Sequence, residues 1–115
     1  DPTNRTAKSN MERVQAEIQS AAAPAPTAQE YISAGIEAQK AKDYETAVAA
    51  YTKALKIEPD NAELKKNLAG ALNSRGVSAY RAQNKAAAAA DFTEALRLDP
   101  VNAAVKKNLA RVQSE

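Results

Sequence analysis

Residues 35–68 read GIEAQKAKDYETAVAAYTKALKIEPDNAELKKNL, and residues 76–109 read GVSAYRAQNKAAAAADFTEALRLDPVNAAVKKNL. Every punctuating residue of the first stretch returns in the second after the same interval of 41. Gly35 returns as Gly76, Ala47 as Ala88, Tyr51 as Phe92, Ala54 and Leu55 as Ala95 and Leu96, and Pro59 as Pro100. The run 61–68 is echoed by 102–109. Self-similarity at a fixed interval marks a repeat architecture, in which each unit is one supersecondary element that buries its apolar face on its neighbours.

Working outward, the caps and breakers divide the chain into helices. Thr27 with Glu30 forms a capping box, the hydroxyl accepting from an orphan amide while the carboxylate reaches back to the cap. A helix is expected over about 28–41, with Tyr31, Ala34, Gly35 and Ala38 on one face. Asp43 caps a second helix over about 44–57, whose apolar stripe is Ala47, Tyr51, Ala54 and Leu55 with Val48 at its edge, and Pro59 ends it. Asn61 then opens a long helix over about 62–83, in which Leu64, Leu68 and Leu72 recur at every fourth position and Gly76, Ala79 and Tyr80 follow. It forms despite Gly70 and Gly76, each costing about 1 kcal/mol relative to Ala. Asn84 caps a helix over about 85–98, Pro100 ends it, and a last helix over about 103–113 carries Val105, Leu109 and Val112. Upstream, residues 1–26 form a separate segment. Met11, Val14 and Ile18 make one short apolar stripe, a helix over 10–20, and Pro24 and Pro26 terminate it in an extended Ala-Pro linker.

Within a domain expected over 27–115, residues from about 28 to 102 resemble the tetratricopeptide repeat family. Tyr31, Ala34, Gly35, Ala38, Ala47, Tyr51, Ala54 and Pro59 stand where that family's pattern has W, L, G, Y, A, F, A and P. Leu72, Arg75, Gly76, Ala79, Ala88, Phe92, Ala95 and Pro100 repeat the series, with Arg75 in place of Leu and small Ala38 and Ala79 in place of an aromatic. The resemblance implies an all-α fold, an α–α superhelix of antiparallel helix hairpins forming a fragment of a right-handed solenoid. The residues agree with it physically: Gly35 and Ala47, like Gly76 and Ala88, let two helices approach closely while Tyr51 or Phe92 fills the gap beside them. The family period is about 34 residues. The surplus of about seven residues, two helical turns, falls at 62–68 and lengthens the leading helix of the second unit at its start. Its recurrence at 103–109 makes the last helix the beginning of a third unit used as a cap, with Leu109 and Val112 inward and Lys106, Lys107 and Arg111 outward. Two repeats are few for independent stability. A complete small domain, a fragment of a longer array and a protomer that dimerises all remain open.

Composition restricts the chemistry. Sixteen basic against 14 acidic residues leave a net charge of +2, too small to indicate nucleic acid or an anionic membrane as partner. Without His or Cys the commonest general base and the soft metal ligands are missing, so no catalytic role, metal or cofactor is expected. Gly35, Gly70 and Gly76 lie within helical patterns and read as packing positions, not as a phosphate loop. No stretch approaches the roughly 20 apolar residues that span a bilayer. The basic pairs Lys65–Lys66 and Lys106–Lys107 read as a solvated face, with contact to an acidic partner as the alternative. The Ala-Pro linker and the lack of Cys lean toward a bacterial envelope protein, though the same composition occurs in cytoplasm.

The resemblance further implies a partner protein or peptide in a concave groove lined by the leading helices. Carried onto this chain, the groove positions are Gln29, Ile32, Ile36, Gln39 and Lys40, then Gly70, Asn73, Val77, Tyr80 and Arg81. Ile32 and Ile36 occupy the places where chaperone-tail binders carry a carboxylate-clamping Lys and Asn. An apolar strip with Lys40 and Arg81 at its rim suits an amphipathic helix or an extended apolar segment. Two functions are therefore carried forward. One is a protein-interaction module using the groove. The other is a structural assembly piece acting through self-association, its groove occluded by Met11, Val14 and Ile18 docked onto Ile32, Ile36 and Val77.

Overall fold

A computed structural model describes residues 25–114. The expected helix over 10–20, and with it any docking of Met11, Val14 and Ile18, lies outside the described residues. Those described form α1 (Ala28–Lys40), α2 (Tyr44–Ile57), α3 (Ala62–Arg81), α4 (Lys85–Leu98) and α5 (Ala103–Gln113), with no strand among them. Each helix opens on a side chain that accepts from the third amide inside it. Thr27 and Glu30 complete the reciprocal box, and Asp43, Asn61, Asn84 and Asn102 serve the others.

The helices close in two alternating ways. α1 ends one residue short of the expected 41 and α3 two short of the expected 83, because Lys42 and Gln83 turn into the left-handed region at φ 62° and 69°. Asp43 N–H then donates to the Ala38 carbonyl and Asn84 N–H to the Ala79 carbonyl, both at 2.8 Å, so that the residue capping the next helix also seals the previous one. α2 and α4 end instead at Glu58 and Asp99, whose backbone leaves the helical region that a following proline disfavours.

α1 packs on α2 and α3 on α4 as antiparallel hairpins, α2 on α3 and α4 on α5 join the units, and α3 also touches α5. The core is one continuous cluster running from Ala28 to Val112, built largely of alanine and leucine around the buried rings of Tyr51 and Phe92. Each ring lies against a glycine. A Cβ added to Gly35 would sit 2.5 Å from Tyr51 Cε1, and one added to Gly76 would sit 2.6 Å from Phe92 Cε1. Gly70 corrects the packing reading made for all three glycines: a Cβ there would meet only the Gln39 amide nitrogen, at 4.0 Å.

Arg75, the departure from the repeat pattern, is built into an ion pair. Its Nε and Nη2 donate to the two carboxylate oxygens of Asp91 at 3.0 and 2.9 Å, and Nη1 reaches Glu45 at 3.2 Å, tying α3 to α4 and α2. Asp91 is the buried charged residue of the described chain, and its hydrogen bond holds the Arg75 guanidinium above its ordinary pKa. In the first repeat the equivalent positions are Ala34 and Ala50. An ion pair in one hairpin thus replaces an alanine pair in the other.

Both contacts give measurable expectations in urea unfolding. Gly35→Ala and Gly76→Ala should each lose about 1 to 3 kcal/mol, because a buried ring cannot yield. Gly70→Ala should gain up to about 1 kcal/mol, the ordinary helical preference for alanine. Asp91→Ala should cost about 2 kcal/mol by stranding the guanidinium. The double replacement Arg75→Ala with Asp91→Ala, which reproduces the first repeat, should return to within about 1 kcal/mol of the parent.

Candidate functional site

The leading helices α1, α3 and α5 enclose two clefts. The first lies between α1 and α3, has a volume of about 270 Å³, and is lined by Gln29, Ile32, Ile36, Asn61, Glu63, Leu64 and Asn67. The second lies between α3 and α5, has a volume of about 160 Å³, and is lined by Val77, Tyr80, Arg81, Asn108 and Arg111, with Phe92 of α4 as its floor. Every α3 residue of the first cleft belongs to the additional two turns at the start of that helix, with Asn61 as their cap. The lengthening therefore builds a wall that a helix of the length of α1 would lack.

Models of the tetratricopeptide repeat match residues 38–76 and 69–100. The chain belongs to the tetratricopeptide repeat family. No curated protein matches the sequence. Repeats of this family are in general non-catalytic modules of protein–protein interaction, which directs attention to the two clefts.

The groove positions inferred from the tetratricopeptide repeat pattern divide between the clefts and the helix contacts. Gln29, Ile32 and Ile36 line the first cleft; Val77, Tyr80 and Arg81 line the second. Ile36 is among the exposed large hydrophobic residues, 38% accessible. Gln39 is engaged in the frame: its Oε1 accepts from the Tyr51 hydroxyl at 2.7 Å. Lys40 lines neither cleft and pairs at the surface with Glu37 at 3.9 Å. Asn73 accepts through Oδ1 from Asn108 Nδ2 at 2.9 Å, linking α3 to α5 beside the second cleft. Gly70 is half-buried, with open space where a side chain would stand.

The clefts also contain residues outside the inferred groove positions. Asn67 and Asn108 are repeat equivalents, and their return at the interval of 41 is the sequence signal that points to them. Arg111 is exposed, as expected for an outward cation on the capping helix, and it also lines the second cleft. The rest of that helix follows expectation in part: Val105 and Val112 are buried, Lys106 and Lys107 are exposed, and Leu109 is half-buried. A third depression, lined by Glu45, Arg75, Ala79, Ala87, Ala90 and Asp91, has its charged groups already paired with one another. Among the described residues no three potential metal ligands are gathered, and no helix is long and apolar enough to cross a membrane.

Burial pushes the Tyr51 phenol above its ordinary pKa of 10.0. A raised folded value means that its contribution to stability is intact below about pH 10 and is lost as pH rises through the folded pKa. Tyr51→Phe, the residue found at the equivalent Phe92, should cost about 1 kcal/mol at neutral pH by freeing the Gln39 carbonyl. The stability gap between parent and variant should close, then reverse, as unfolding is followed above about pH 10.

Proposed function

We propose that this chain binds a segment of a partner protein, an amphipathic helix or an extended apolar strand, along the strip formed by α1, α3 and α5. The observation that carries the reading is Ile36, a large aliphatic side chain left accessible on a leading helix, in line with Ile32 in one cleft and matched by its repeat equivalent Val77 in the other. The surrounding Gln29 and Asn67 offer amides to a partner backbone, while Asn61 and Asn108 are held within the chain by Leu64, Glu58 and Asn73. Flanking polar groups around a few apolar anchors is the composition of a surface that holds a helix or strand by one face.

A second reading, assembly through self-association, has its own support at the far end of the array. Leu68 is buried in the core cluster, whereas its equivalent Leu109 is only half-buried, and no further hairpin partner follows α5 among the described residues. A second copy packed there would cover it.

Selection of peptides from a displayed random library against the folded chain separates the two. The double substitution Ile36→Lys with Val77→Lys should abolish capture of the selected peptides, leaving helicity and sedimentation unchanged. Undiminished capture would remove the groove reading. Sedimentation that grows with concentration and is suppressed by Leu109→Lys, with no peptide selected, would favour assembly.

A further inference from the structure

The positions that line the second cleft occur twice in the chain, and the copies differ in charge; of the first copy, only Ile36 and Asn67 line the first cleft. Val77, Tyr80, Arg81, Phe92, Asn108 and Arg111 of the second cleft are the repeat equivalents of Ile36, Gln39, Lys40, Tyr51, Asn67 and Gly70. In the first copy the cation Lys40 pairs with Glu37, Gln39 bonds to the Tyr51 hydroxyl, and Gly70 presents no side chain. In the second copy the equivalent of Glu37 is Ser78, and the equivalent of Gly70 is Arg111. An acid has been lost and a cation gained.

The outcome is a cleft with guanidinium groups on both walls, Arg81 in the last turn of α3 and Arg111 in the last turn of α5. The helix dipole favours a cation in the last turn of any helix. Lys40 and Arg97 illustrate it, and there Glu37 and Glu94 complete ion pairs. Arg81 and Arg111 have no carboxylate partner among the described residues, and no acid lines the cleft. Val77 and the buried Phe92 complete the lining of a volume of about 160 Å³. A space on the order of 150 Å³ accommodates a benzene ring or a comparable side chain.

We propose that the second cleft is an acidic-peptide subsite, taking one aliphatic or aromatic side chain of a partner segment with carboxylates flanking it on both sides. The inference rests on the groove reading above and narrows its partner. Two separate guanidiniums on opposite walls match two side-chain carboxylates in a segment better than one terminal carboxylate, which would neutralise a single wall. The first cleft, with Glu63 and Ile36 in its lining, takes the uncharged continuation of the same segment.

The probe is a blocked nonapeptide with one leucine between two pairs of glutamates, titrated into the isotopically labelled full chain at low ionic strength. Chemical-shift changes should centre on Val77, Tyr80 and Asn108 and should vanish when glutamines replace the glutamates. Arg111→Gln, and Ser78→Glu, which restores the acid of the first copy, should each weaken binding about tenfold. Binding indifferent to both variants overturns the proposal. Shifts confined to Ile32 and Ile36, or binding of the glutamine peptide alone, overturn it while leaving the groove reading intact; failure of every library-selected peptide to shift either cleft defeats the reading itself. Changes at Val77 on raising protein concentration without peptide would make a second copy the occupant. Changes there on Val14→Ser would make it the chain's own leading segment, and either result overturns the proposal.

Discussion

The hairpins depend on a ring placed against bare backbone. Tyr51 and Phe92 are almost wholly buried, and each occupies the space that a single methyl on Gly35 or Gly76 would claim. That contact sets how closely the leading and trailing helices approach, and Ala47 and Ala88, both fully buried, allow the same distance. A protein with so few aromatic residues has little else of that size to space its helices, so the remaining core of alanines and leucines fills the gap that the two rings define. The same rings reach toward the clefts. Tyr51 fixes Gln39 through its hydroxyl, and Phe92 forms the floor of the α3–α5 cleft.

Duplication gives this fold two chances to use each position, and the copies diverge where packing permits. Ala34 and Ala50 in one hairpin become Arg75 and Asp91 in the other, an exchange of small apolar contacts for a bidentate ion pair. That pair joins three helices and offers little to a ligand, since its charges answer one another. The cleft arginines are the opposite case. They stand at the surface on two leading helices without a carboxylate among the described residues, so their charge is available to something outside the chain. Satisfied and unsatisfied charge, not charge alone, separates framework from candidate contact.

The lengthened α3 gives the array an asymmetry along its axis. Its first two turns wall the cleft toward α1, where Glu63 supplies the charge, while its last turns wall the cleft toward α5, where Arg81 and Arg111 supply the opposite sign. A segment lying across both would meet different chemistry at its two ends and would be held in one direction.

Much of this architecture was legible in the residues. Prolines 59 and 100 and the caps at Thr27, Asp43, Asn61, Asn84 and Asn102 act within one or two helical turns, and the apolar stripes repeat on the helical period, so the order and packing faces of the helices follow from local rules. Other features needed the assembled helices. Left-handed Lys42 and Gln83 carry no glycine to announce them, and Gly70 has the same local pattern as the packed glycines but faces open space. Arg111 is polar on a periodic helix and reads as solvated, yet the lateral position of α5 beside α3 turns it into a cleft wall. The sequence by itself determined which face of each helix is apolar, because burial follows periodicity; which polar residues meet across the clefts was decided only by tertiary structure, because that depends on the offset and crossing of helices far apart in the chain.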